Sequence, residues 1–480
     1  MNPIPLFGAG IKSLSQTVTA QRRIGCIYDI RPDGDKSNII IRGTPGKSLY
    51  VTLPDNPIRG WWVVNYLLYI VAGASVFTMD YGGNVVLLGK ISNSGQLVGI
   101  TDDSLTMTIV DGQQGYSVPL PSGSPTLITD PNFPNGCTSI ATLDSRSLAP
   151  VPNSRSFNVC QLLAGGTWSP LLQGTKENSS DLLVAVDVLN GFIVLWGATH
   201  MECWQDNGNA APAVPYSRIN GASQTWGLAA LHSRVQLANT MAFLGQNPQG
   251  GVQVLMLNGY TPQRISTSDI ENIISSFPVY SDAIGLTYML DGHPIYQLTF
   301  PSANRTFIYD AVTGFWGESQ TGVGYIGRDA ANLSIVFNTK NFVSDTTTGN
   351  IYLLDPNVYT DVGGAAIKRQ VVSRHVQVNG NEFSIAEIVL EMETGVGLDS
   401  GQGSDPQIMM RVSKDGGKTF GPERWKPLGK KGKYFKRVRW TRLGSARDFV
   451  FMWTVTDPVK FIITLGEATV APGTETVNNE

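Results

Sequence analysis

Apolar residues come in short runs cut by turn signals along most of this chain. Leu182–Trp204 shows the pattern. Leu182–Val188 is dense in branched residues, Asn190-Gly191 follows, Phe192–Trp196 is a second run, Gly197-Ala198 breaks it, and Thr199–Trp204 is a third. An Asn-Gly pair readily takes the positive φ angles of a tight hairpin turn. None of the runs is long enough for a helix with a buried stripe, and all are rich in β-formers, so the stretch predicts an antiparallel three-stranded meander.

Similar units recur. Residues 1–53 read as irregular, with strands at Asn38–Arg42 and Leu49–Leu53 on either side of Gly43-Thr44-Pro45-Gly46. Meanders follow at Leu67–Val71, Val76–Asp80 and Val85–Leu88, then at Val98–Thr101, Leu105–Val110 and Tyr116–Val118. Residues 120–180 are rich in Pro, Gly and Ser and read as weaker strands with a long insertion or loop at Pro121–Gly136. Strands resume at Met241–Leu244, Val252–Leu257, Ile284–Leu290, Ile295–Phe300, Thr306–Tyr309, Leu333–Phe337 and Ile351–Leu354. One helix is predicted, Ser268–Ser276, with Ile270, Ile273 and Ile274 on one face and Thr267 or Ser268 as its cap.

A lone meander cannot bury both its faces, whereas stacking meanders around an axis does so and protects most edges. The spacing of roughly thirty to fifty residues is near the ~40–50 of propeller blades, so residues 55–362 predict a β-propeller of about six or seven irregular blades. A sandwich or an elongated stack of sheets is the competing architecture. Past Tyr359–Gly364 the strands lengthen, and 363–471 predicts a second all-β domain of sandwich type. Residues 1–54 form an N-terminal segment expected to pack on that domain. The polar tail, 472–480, reads as mobile by composition unless a neighbouring subunit holds it.

Composition narrows the function classes. The chain has 480 residues, of which only 15% are charged and 42% hydrophobic, which speaks against long disordered tracts. Its formal net charge is −3, but the distribution is uneven. Arg424–Arg447 holds ten Lys/Arg and no Asp or Glu, which leaves 25 basic against 38 acidic residues elsewhere. Within it, Phe435–Leu443 reads as a strand with Arg437 and Arg439 on one face and Val438 and Trp440 on the other. Lys430, Lys431, Lys433, Lys436, Arg437, Arg439 and Arg442 are the candidate surface for DNA or an acidic partner; the alternative is a solvated strand face. The four cysteines, Cys26, Cys137, Cys160 and Cys203, are scattered and read as buried free thiols. The N-terminus has no signal-peptide pattern, and Trp61–Phe77 is too interrupted for a membrane span, so synthesis and assembly in a cytoplasm are expected.

Chemistry-bearing motifs are sparse. GTPGKS, Gly43–Ser48, resembles the end of a phosphate-binding loop, but Ile41 stands where the first glycine belongs and a strand follows instead of a helix. Ser413, Asp415, Gly417, Thr419 and Phe420 fit the Asp-box pattern, read here as a structural hairpin tip. His200, His232, His293 and His375 have no metal-ligand spacing. No catalytic, cofactor or metal residues are assigned, and no small-molecule substrate is expected.

Several segments, in order, resemble the packaged-DNA stabilisation proteins, or tail hub (nozzle) proteins, of short-tailed bacteriophages. They are IRGTPGKSLY (41–50), Arg59-Gly60 with LLYIVAGASVFTMDYGGNVVLLGKI (67–91), IVDGQQGY (109–116), FIVLWGATHMECWQDNGN (192–209), ISTSDIENII (265–274), FIYDAVTGFW (307–316), and SKDGGKTFGPE through RVRWTRLGSARDFVFMW to the end. The resemblance implies a β-propeller with a further β-domain, in a virion tail assembled in the host bacterial cytoplasm. It implies a homohexamer below the portal and its adaptor, extending the DNA channel, retaining packaged double-stranded DNA without base readout, and holding a tail needle, spikes or fibres. A glycan-binding or sialidase-like propeller and a receptor-binding tail fibre are the alternatives.

Overall fold

The structure is a computed structural model, and it describes residues 4–8, 10–13, 15–30, 39–209, 213–324, 326–471. The reading of the polar tail falls outside these residues. Among them the strands form a closed seven-bladed propeller and a two-sheet sandwich.

Each blade is an antiparallel meander ordered from the axis outwards. The first is Ile58–Val64, Leu67–Ala72, Ser75–Met79 and Val85–Lys90. The next three begin at Gly99–Asp102, Ala141–Leu143 and Leu183–Leu189; the fifth is built on Thr240–Gln246, and the sixth and seventh begin at Ile284–Leu290 and Ala331–Phe337. Six of these units are sheets of their own, while the sixth blade in chain order runs on into the sandwich. Contacts between neighbouring inner strands pass round the ring and return from Ala331–Phe337 to Ile58–Val64.

The two-residue period of a strand explains why the apolar runs are nearly continuous. In Phe192–Gly197, Val194 and Trp196 enter the seam with the fifth blade, and Ile193 and Leu195 enter the seam with the third. Every seam has its own apolar cluster, and several are also stitched by hydrogen bonds. Trp62 Nε1 donates to Asp102 at 2.7 Å, Trp61 Nε1 to the Ser334 carbonyl at 2.9 Å, and Arg234 Nε to Asp187 at 2.6 Å. Burial pushes the Asp187 carboxyl up, against the pull of Arg234 and Trp196.

Two expectations are corrected. Pro121–Gly136 is not an insertion throughout, since Thr126–Leu127 is the outer strand of the second blade, and the weaker strands after it, Ala141–Leu143, Arg146–Pro150, Ser156–Gln161 and Ala164–Thr175, form a complete blade of their own. Its outer strand, AGGTWSPLLQGT, contains Gly, Pro and register shifts, which an edge strand tolerates and which hide it from a pattern reading. Nor are the described residues of 1–53 irregular. Ile4–Pro5, Cys26–Ile30 and Ile39–Gly43 join one sandwich sheet, Arg22–Ile24 joins the other, and Gly46–Thr52 is the outermost strand of the seventh blade.

That last pairing closes the ring, running from Asn350↔Thr52 to Asp355↔Gly46 with one register shift between Ile351 and Tyr352. The sandwich packs Ile462–Val470, Phe383–Met392 and Val438–Thr441 against Arg369–Val372, Val450–Val455 and Gln407–Ser413. Trp440, Trp453, Phe449 and Phe451 lie in its core. Arg22–Ile24 lies between the sixth blade's outer strand, Trp316–Glu318, and Arg369–Val372, so one continuous sheet joins the two domains. The helix is Ser268–Ser275, and the Thr267 hydroxyl accepts from the Ile270 amide.

Candidate interaction surface

The basic run wraps one margin of the sandwich. Arg424–Pro427 is an edge strand, pairing Met409 with Trp425 and Met410 with Arg424. Residues 428–437 then cross to the opposite sheet, where Val438–Thr441 pairs with Phe383–Met392. Alternation buries Val438 and Trp440 and leaves Arg437 and Arg439 exposed. Trp440 Nε1 donates to the Arg424 carbonyl at 3.0 Å, tying the two strands together.

The crossing loop has many backbone anchors. The Leu428 amide donates to Pro406 at 2.8 Å, Gly395 to Leu428 at 3.1 Å and Gly432 to Gly395 at 3.1 Å, while Thr394 Oγ1 donates to the Tyr434 carbonyl at 2.7 Å. Gly395 sits at φ +75° and a Cβ there would lie 2.8 Å from the Tyr434 ring, so the loop's close approach requires glycine.

All seven candidate cations are exposed. Lys431 pairs with Asp399 at 2.8 Å, and Arg437 and Arg439 share Glu387 at 3.7 and 3.8 Å. Such exposed pairs contribute little to stability. Lys430, Lys433, Lys436 and Arg442 have no carboxylate partner among the described residues. Sequence reasoning found the cations but not the ring that stands among them: Phe435 is 103% exposed and Tyr434 67%. The expected strand Phe435–Leu443 is shorter, Val438–Thr441, because the residues before it are held by the loop's bonds to Gly395 and Thr394, which leaves Phe435 outside the sheet.

The Asp-box residues come together in the turn that leads to this edge. Ser413 Oγ donates to Asp415 at 2.6 Å and accepts from the Gly417 amide at 2.8 Å. Asp415 accepts from the Thr419 amide at 2.9 Å and hydroxyl at 2.6 Å. Burial would raise this carboxyl, but the Ser413 and Thr419 hydrogen bonds bring it down to about 2. Gly417 is at φ +86°, and Phe420 packs against Ala20, Val372 and Val450. The turn therefore belongs to the sandwich, not to a blade.

The phosphate-loop lookalike has a different role. Lys47 is buried, its Nζ 2.8 Å from Asp329 and 2.7 Å from Asp361. Ser319 Oγ donates to Asp329 at 2.6 Å and Thr321 Oγ1 to Asp361 at 2.9 Å. Burial would lower the ammonium's pKa, but the two carboxylates hold it above its ordinary value. A Cβ on Gly46 would meet the Val358 carbonyl at 2.3 Å. Gly46 and Lys47 are thus the latch that holds the ring-closing strand. The matching device at the domain junction is Glu318, with Arg22 at 2.8 Å and Arg305 at 2.9 Å. Neither cluster was legible in advance, because Lys47 and Arg22 lie hundreds of residues from the carboxylates they pair with.

The remaining candidates are dispersed. His293 lies 2.8 Å from Asp310 and 3.6 Å from Asp29, and His375 lies 2.7 Å from Asp448. His232 is pushed down to about 4 by burial and by Arg234. Among the described residues no group of three His, Cys, Asp or Glu is arranged to hold a metal ion. The cysteines are buried and unpaired, and burial pushes the Cys137 thiol up to about 12. A groove of about 520 Å³ on the outer face of the sandwich, lined by Val372, Met409, Arg411, Phe420, Trp425 and Met452, abuts the basic edge.

Comparison with known proteins fits this two-domain architecture. A family model described as the bacteriophage P22 Gp10 β-propeller matches residues 33–359, and one described as the P22 Gp10 β-sandwich matches 368–471. The tail hub protein gp10 of Salmonella phage P22 is 25% identical over 142 residues, covering 29% of this chain. The chain matches only 30% of that relative's length. Solved propellers are similar at low identity. The Pan2 WD40 domain of Neurospora crassa has a TM-score of 0.39 at 10% identity, covering 69% of this chain and 94% of that one. The virginiamycin B lyase of Staphylococcus aureus has 0.43 at 11%, covering 64% and 99%. These scores are too low to carry any argument about function. With both family models matched in order over most of its length, the chain belongs to the bacteriophage P22 Gp10 family of short-tailed phage tail hub proteins.

Proposed function

We propose that this protein is the structural hub of a short phage tail. Six copies form a ring below the portal and its adaptor, extend the DNA channel, help retain the packaged double-stranded DNA, and provide attachment for needle, spikes or fibres. The observation that carries the reading is the ordered match of the propeller and sandwich models over residues 33–359 and 368–471. The fold suits a part held under load. Its blades are locked by buried seams, its ring is closed by a strand with a buried ion-pair latch, and its two domains share a sheet. Closed rotational symmetry gives each subunit the same two neighbours. DNA would be met through its phosphates, without base readout.

Light scattering of the purified 51.9 kDa chain, with and without its phage's adaptor ring, tests this. A six-fold ring on the adaptor is the expected result. A monomer indifferent to the adaptor, or a trimer, refutes the hub reading.

A further inference from the structure

Phe435 is a phenylalanine with its ring entirely in water, at the end of an ordered loop. In the chain it follows Tyr434 and stands among the cations Lys430, Lys433 and Lys436, which have no carboxylate partner among the described residues. The loop's hydrogen bonds to Gly395, Thr394 and Pro406 fix its backbone, so little further ordering is needed on docking. A pre-ordered aromatic anchor within a basic rim fits a pocket with an acidic rim.

The chain itself supplies the opposite charge. Residues 55–362 hold 22 Asp/Glu against 11 Lys/Arg, a net of −11, whereas the rest holds 16 against 24, a net of +8. Two of the propeller's acidic side chains, Asp144 and Asp206, also stand side by side. The Asp144 carboxyl is pushed up by burial and by the adjacent Asp206. Phe435 is exposed in its own chain, so its own propeller does not receive it. Double-stranded DNA would satisfy the lysines but offers the outward rings only a phosphate backbone.

We propose that the loop 428–437 is an assembly contact, with Phe435 and Tyr434 of one copy inserted into the acidic propeller of the next copy. The inference rests on the ring proposed above and specifies which surfaces form it. Such a contact is heterologous: one basic face and one acidic face per copy, repeated until the ring closes. Lys430, Lys433 and Lys436 steer the approach and make assembly salt-sensitive.

The test is a photo-cross-link. A benzophenone-bearing phenylalanine analogue replaces Phe435 in the full chain. Isotope-labelled and unlabelled chains are mixed on the adaptor ring and irradiated. Cross-linked peptides joining position 435 to residues 55–362 of the differently labelled chain are the expected result. Products to the adaptor, to DNA or to residues 363–471, or no inter-chain product from an intact ring, overturn the proposal. In parallel, Phe435→Ala and the triple variant Lys430→Glu, Lys433→Glu, Lys436→Glu should each reduce ring yield at least tenfold with an unchanged unfolding midpoint. Unchanged ring yield in both overturns it as well. The hub reading is judged separately by whether the unsubstituted chain forms the ring at all.

Discussion

Replacing Lys47 with methionine removes the cation that holds the ring-closing strand and leaves Asp329 and Asp361 facing each other. The three side chains are 8%, 5% and 3% exposed, so solvent cannot take over the lysine's role. The two carboxylate oxygens can be no farther apart than the 2.8 and 2.7 Å bonds laid end to end. Removing one partner of a buried pair costs roughly 3–5 kcal/mol, and the second stranded carboxylate puts Lys47→Met at the upper end. Against a total stability on the order of 5–15 kcal/mol this is a large share.

Urea unfolding of the isolated chain at pH 7 checks the size, and amide exchange at Gly46–Thr52 checks the place. Adding Asp329→Asn and Asp361→Asn to Lys47→Met should restore about half of the loss, because neutral side chains are far less costly to bury. The pH dependence has a definite sign. Burial would raise the Asp329 carboxyl, but Lys47 and its hydrogen bonds hold it below its ordinary value. The latch is therefore fully present above about pH 4 and lost as the pH falls further. Without Lys47 the buried Asp329 carboxyl loses the cation that holds it down, so the gap between variant and parent should narrow on acidification. A Lys47→Met chain within about 1 kcal/mol of the parent at pH 7, with unchanged exchange at Gly46–Thr52, would refute the latch.

The junction and the surface turn give further tests. Glu318→Gln strips the buried charge from between Arg22 and Arg305 and should cost roughly 3–5 kcal/mol by urea unfolding, with faster amide exchange at Arg22–Ile24. Asp415→Asn loosens the Asp-box tip and should cost on the order of 1 kcal/mol. Because that carboxyl is held down to about 2, the parent's advantage over the variant should persist at pH 5 and disappear as the pH falls toward 2. The four buried thiols should resist alkylation at pH 8 in the folded chain and react fully in denaturant. Rapid labelling of Cys26 or Cys203 in the native state would contradict the burial that positions them.

What could be read in advance was whatever a strand carries within itself. Phe192–Trp196 announces a strand because it is buried on both faces, and Asn190-Gly191 announces its turn because the backbone there needs positive φ. Thr267 and the three isoleucines of Ser268–Ser275 mark the helix for the same local reason. What could not be read depends on partners distant in sequence. Gly46–Thr52 looks like any short strand, and nothing in it says that it pairs with Asn350–Asp355. Ala164–Thr175 is hidden because an outer strand can carry Gly and Pro without penalty. The basic run was plain as composition, but the exposure of Phe435 depends on how the loop is tied to Gly395, a residue far from it in the chain.

These long-range pairings give the assembly an order. The N-terminal strands wait for partners at the far end of the chain: Cys26–Ile30 and Ile39–Gly43 enter a sheet with Ile462–Val470, and Gly46–Thr52 pairs with Asn350–Asp355. The propeller is thus inserted between the two pieces of the sandwich. Its ring cannot close until the seventh blade has been made, and the sandwich cannot close until nearly the last strand has been made. Such non-local contacts form late and cooperatively, because loop closure must precede the contacts that reward it. The loop 428–437 spans the two sandwich sheets, from Arg424–Pro427 to Val438–Thr441, so it is correctly presented only once that final closure has occurred. An assembly contact placed there would admit completed subunits to the ring and leave unfinished ones out.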